Sequence, residues 1–136
     1  MTVPARSANL GFFPLPPNRT MRFGLNTFLY AAPFTNESVS MFKKLKKWGF
    51  DTVEIAIEDP AHVDPAFLKA AAANAGIAIG SVCAAMGPGR DFRGSAADQK
   101  TAQQYLTALV DQAAAMGCPR IIGPLYSVVG LIGSHA

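Results

Sequence analysis

Three glycines punctuate the chain in the same way. Gly49, Gly76 and Gly117 each follow a stretch with helical spacing, and each is followed closely by an apolar, strand-like run. Glycine closes helices because it adopts the left-handed backbone conformation at little cost. A chain that repeats helix, glycine, strand three times must alternate its elements. Alternation implies a parallel sheet with right-handed crossovers, and so an α/β fold.

The elements can be placed one by one. RFGLNT, residues 22–27, alternates as a first strand and then breaks into an aromatic-rich loop. Glu37 to Trp48 has Val39, Phe42, Leu45 and Trp48 on one helical face. Asp51 to Ile57 reads as the second strand. Asp64 and Pro65 open a second helix, Asp as cap and Pro at the first helical position. Ile77 to Cys83 is the third strand. Ser95 and Asp98 form a capping-box pattern before a long helix to Met116, and Arg120 to Ile122 is the core of a fourth strand. Helix-to-strand links are short. Strand-to-helix links are long, covering 27–36, 58–64, 84–95 and 123 onward. In parallel α/β folds, the loops beyond the carboxyl ends of the strands carry the chemistry.

Four such units of about 30 residues amount to half of a (β/α)8 barrel of roughly 250 residues. Counting alone leaves two folds comparable, a partial TIM barrel spanning 21–136 and a small complete doubly wound domain. Residues 1–20 differ in texture. They hold four prolines and no periodicity, which predicts a disordered leader, with Met21 as a candidate true start.

Composition narrows the class. Half of the 136 residues are hydrophobic and 15% are charged, which suits a globular chain with a core. The net charge of +3 is scattered, and Lys43, Lys44, Lys46 and Lys47 read as the solvated face of one helix, not a nucleic-acid patch. No apolar run reaches the roughly 18 residues of a membrane span. Cys83 and Cys118 form no CxxC and no disulfide framework, so buried free thiols in a cytoplasmic protein are expected.

MRFGLNTFLY, GFDTVEIAIEDP, AGIAIGSVCAAMGPGRDFRGS and IIGPLYSVVG together resemble the first half of the ketose 3-epimerases. That D-tagatose/D-psicose epimerase group lies within the xylose-isomerase-like sugar isomerases and epimerases. The resemblance covers about 21–130, with GPLYS and RDFRGS its most specific parts. It implies a (β/α)8 barrel, a free ketose substrate and a divalent metal, Mn, Co or Mg. It also implies two carboxylates that remove and return the C3 proton through an enediolate. By the same resemblance, the family's metal ligands and catalytic carboxylates belong to the second half of the barrel, so no catalytic residue and no metal ligand is assigned here.

The resemblance implies substrate contacts at Asn26, Phe34, Cys83 and Pro124, all on the carboxyl-end rim. An aromatic wall suits the apolar face of a sugar carbon chain, and Asn offers a donor and an acceptor to hydroxyls. Plain packing is the competing reading for each of the four. Glu54 reads as an inward carboxylate hydrogen-bonded to a neighbour. Glu58, Asp59 and His62 share one loop without closed metal geometry, and His135 stands in the tail. Tyr126 and Ser127 read as loop braces. GPGR, 87–90, lacks the Lys-Ser/Thr of a P-loop and reads as a turn, although Arg90 and Arg93 could meet a sugar phosphate.

Three functions follow. The first is a truncated metal-dependent epimerase, inactive alone. The second is a half-barrel that completes its site with a second copy or a separate C-terminal chain. The third is a non-catalytic sugar- or phosphate-binding module. The ending LIGSHA does not continue into a helix, so a missing C-terminal half is expected.

Overall fold

A computed structural model describes residues 21–131. The expected leader and His135 lie outside the described residues. Four strands, β1 (Gly24–Asn26), β2 (Thr52–Ile57), β3 (Ala78–Ala84) and β4 (Ile121–Ile122), form one sheet in the order β1-β2-β3-β4. Every pairing is parallel. Three helices connect them, α1 (Ser40–Lys47), α2 (Pro65–Ala75) and α3 (Ala96–Met116). Sequential strand order with a helix in each crossover is the arrangement of consecutive units in a (β/α)8 barrel.

The helix ends follow local chemistry. Asp64 accepts from the Ala66 and Phe67 amides at 2.8 and 3.1 Å, and Gly76 ends α2 with φ +66°. Ser95 and Asp98 make the reciprocal capping box of α3, and Gly117 ends it at φ +73°. The first helix differs from its sequence pattern. Residues Asn36–Val39 form a 3-10 turn, and the α-helix starts at Ser40. Trp48, expected on the core face, is 49% exposed. The helix stops at Lys47, and the indole lies beside Tyr30 (5.9 Å between ring centroids) under the Lys44 ammonium. The core beneath α1 is filled instead by Phe42, stacked on Phe34.

Strand alternation sorts the two sheet faces. Val53, Ile55 and Ile57 are fully buried and join Leu68 and Leu109 of the helices in one core. Glu54, between them, belongs to the opposite face. The β2–β3 register shifts at Val53/Glu54, so Val53 pairs with Ile79 but Glu54 pairs with Ser81. Gly80 takes up the shift, and a Cβ there would lie 3.2 Å from the Thr52 Cβ. This bulge re-aims Ser81 onto the face that carries Glu54.

Candidate functional site

The inner face of the sheet carries a polar row across three strands. Asn26, Glu54 and Ser81 are register partners in β1, β2 and β3. Asn26 Nδ2 donates to Glu54 Oε1 at 2.6 Å, and the Ser81 hydroxyl donates to Glu54 Oε2. Both carboxylate oxygens are therefore bonded within the row. Glu54 is the inward, hydrogen-bonded carboxylate that its place in the strand suggested.

One step further along the strands lies Cys83, paired with Ala56. Burial pushes the Cys83 thiol up, the Asn26 amide beside it opposes this, and the Glu54 and Glu58 carboxylates raise it further. A thiol held neutral in this way is a poor nucleophile, so Cys83 acts as a small apolar surface.

Cys83 forms part of a cleft of about 580 Å³ at the carboxyl ends of the strands. Its walls are almost wholly apolar and include Phe28, Ala84, Met86, Pro124 and Val129, and Glu58 and Arg90 also line it. Cys83 and Pro124 thus face one cavity. Asn26 contacts it indirectly, through Phe28. Phe34 does not line it, for its ring is 1% exposed and packed in the core. The Phe34 amide instead donates to Glu58 Oε2 at 3.1 Å. The aromatic wall is Phe28, six residues earlier. Sequence reasoning missed it, although the Asn-Thr-Phe order is an available signal. Asn26 Oδ1 accepts from the Phe28 amide at 2.8 Å, an Asx cap on the 3-10 turn Thr27–Leu29.

Two arginines near the cleft are already engaged. Arg90 donates to the Glu58 carbonyl at 2.7 Å and the Ala85 carbonyl at 3.1 Å, and its guanidinium lies 4.1 Å above the Tyr105 ring. Arg93 makes a two-pronged pair with Asp91, at 3.1 Å from Nε and 2.9 Å from Nη2. Neither offers a free fork to a phosphate. The turn reading of 87–90 agrees with the Arg90 amide, which donates to the Gly87 carbonyl at 3.0 Å.

Asp91 ties the two most specific sequence motifs together. It also accepts from the Val128 amide at 3.3 Å, and the Phe92 amide donates to the Tyr126 carbonyl at 3.0 Å. Tyr126 braces its loop by its backbone, its side chain being 65% exposed, while Ser127 is buried. The Arg93 hydrogen bonds hold the Asp91 carboxyl far below the usual carboxylate range. A depressed folded pKa stabilises above the unfolded value of about 3.9 and loses that contribution as pH falls through and below it. Asp91→Asn should therefore lower the urea midpoint at pH 7. The gap to the unsubstituted chain should close progressively below about pH 4. A gap independent of pH would show that ionisation of Asp91 does not hold the two loops.

Among the described residues, no three His, Cys, Asp or Glu side chains come together as a metal site. Asp59 Oδ1 caps the Ala61 amide at 2.9 Å, and His62 lies exposed 3.7 Å from the other Asp59 oxygen. Glu54 is bonded to Asn26 and Ser81 and Glu58 to the Phe34 amide, and without a third ligand beside them these side chains do not fit a divalent ion.

No family model matches the chain. It is 26% identical over 116 residues to a probable ketose 3-epimerase of Synechocystis sp., covering 85% of this chain and 40% of that relative. The chain is thus similar to a probable ketose 3-epimerase. It spans about 40% of the length of the curated relative that it matches. The solved structures agree on the fold. D-allulose 3-epimerase of Methylomonas sp., crystallised with D-allulose, superposes with a TM-score of 0.75 at 18% identity, over 83% of this chain and 40% of that one. A D-psicose 3-epimerase, crystallised in the presence of D-fructose, gives 0.68 at 18% identity, over 85% and 41%. The four-stranded parallel sheet with its helices is thus part of the epimerase TIM-barrel fold. Among the described residues, no helix is long and apolar enough to cross a membrane.

Proposed function

We propose that this chain supplies the first, substrate-facing half of a ketose 3-epimerase barrel. Its cleft would take the carbon chain of a free ketose. The observation that carries this reading is the position of the cleft at the carboxyl ends of parallel strands, in a chain whose sequence matches a ketose 3-epimerase. Phe28, Cys83 and Pro124 would cover the apolar face of the sugar, and Asn26 would hold Phe28 in place. Phe34 would support that wall from the core. The engaged state of Arg90 and Arg93 favours a free sugar over a phosphorylated one.

In this proposal, proton removal and return at C3, and the divalent metal that assists it, belong to a second half-barrel. The chain alone is then inactive. Purified chain supplied with Mn²⁺ and D-fructose, D-psicose or D-tagatose should show no epimerisation and no stoichiometric metal. Turnover with one metal per chain would overturn this division of labour.

The sheet edges favour a further possibility, assembly with a second copy or a separate C-terminal chain in the cytoplasm. Among the described residues, β1 and β4 each pair on one side only, and Phe23, Leu29, Tyr126 and Val129 near these edges are exposed. Light scattering that shows a monomer over a wide concentration range would count against self-assembly.

A further inference from the structure

Both oxygens of the inward Glu54 carboxylate are occupied, and neither partner is a cation. A carboxylate in that position needs a purpose other than ion pairing. One of its partners leads directly to the cleft. Asn26 donates its amide hydrogen to Glu54 and accepts from the Phe28 amide with its carbonyl oxygen. These two bonds select one orientation of the Asn26 amide, because donor and acceptor ends are not interchangeable. Phe28 is 40% exposed and sits on a three-residue 3-10 turn.

We propose that Glu54 is a positioning residue that sets the Phe28 wall of the cleft by orienting Asn26. Ser81, brought opposite Glu54 by the Gly80 bulge, holds the second oxygen and stops the carboxylate from turning away. The neighbouring Thr27 fixes only the start of the turn, through its hydroxyl oxygen, which accepts from the Ala56 amide at 2.9 Å. This inference rests on the reading of the cleft as a ketose site, but its geometric claim has its own readout.

The test is amide hydrogen exchange at Phe28, followed by NMR on the whole chain. Glu54→Leu should speed Phe28 exchange about tenfold while core amides such as Leu68 and Leu109 keep their rates. Glu54→Gln should stay near the parent rate, since its amide can still accept from Asn26 and donate to Ser81. Asn26→Ala should match Glu54→Leu, which keeps the claim testable should Glu54→Leu not fold. Unchanged Phe28 exchange in Asn26→Ala, or an equal rise at Phe28 and the core amides, would overturn the proposal. The same samples titrated with D-fructose separate the two readings. A parent chain that ignores D-fructose would sink the ketose reading, and the Phe28 rates would still decide the role of Glu54. Where the parent does bind, Glu54→Leu should weaken D-fructose at least tenfold and Glu54→Gln about threefold or less.

Discussion

Gly123→Ala should lower stability by roughly 3 kcal/mol and distort the Pro124 side of the cleft. Gly123 follows β4 at φ +110°, a conformation that residues with a Cβ rarely adopt. A Cβ at this position would stand 2.7 Å from the Ala84 carbonyl oxygen and 3.2 Å from both the Ala84 amide and the Cys83 sulfur. The carbonyl belongs to the last residue of β3 and cannot retreat without breaking the strand. The movable partner is β4, which has only two register pairs with β3. The chain after β4 should therefore shift outward and carry Pro124 away from Cys83. Gly130 supplies the control. It has φ +76°, yet a Cβ there would meet nothing within 4 Å. Gly130→Ala should cost only the backbone conformation, about 1 kcal/mol. Urea midpoints of the two variants would decide the matter. Equal losses would mean that the approach to Ala84 is not what requires glycine at 123.

Tyr105→Phe should cost about 2–4 kcal/mol, out of proportion to the loss of one oxygen. Tyr105 lies on α3 and is 5% exposed. Its hydroxyl donates to the Ile57 carbonyl at the end of β2 and accepts from the Ala85 amide, just beyond β3, at 2.8 Å. One side chain thus bridges the carboxyl ends of two strands beneath the cleft. Removing the oxygen leaves the buried Ile57 carbonyl and the part-buried Ala85 amide without this partner, and each such orphan costs about 1–3 kcal/mol. The phenyl ring remains, so the Arg90 guanidinium keeps its stacking surface. The loss should appear as faster amide exchange at Ala85 together with a lower melting temperature. A melting temperature within a degree of the parent would show that water replaces the hydroxyl and that the bridge is dispensable.

Much of this fold is written in local chemistry. The αL glycines at 76 and 117, the Asp64 cap and the Ser95–Asp98 box act within a few residues of chain, so they can be read directly. The direction of Glu54 also follows from strand alternation once Val53 and Ile55 are assigned to the core. Features set by distant partners could not be read this way. Which aromatic after β1 lines the cleft depends on α1, because Phe42 draws Phe34 into the core and leaves Phe28 at the rim. Trp48 fits the period of its helix, but the helix ends before the indole reaches the core. The shift that sets Ser81 against Glu54 is a bulge, and a glycine within a strand shows that one is possible without giving its register. The Asp91–Val128 link joins two loops 37 residues apart, and no spacing rule connects them.

In the proposed function, the cleft at the carboxyl ends of the strands takes a free ketose. The most direct test is an NMR titration of isotopically labelled chain with D-fructose, using D-fructose 6-phosphate as a comparison. Saturable shifts should gather at Phe28, Ala84, Ala85, Met86 and Val129, and the phosphorylated sugar should bind no better. Shifts scattered over the surface, none at all, or a clear preference for the phosphate would contradict the account.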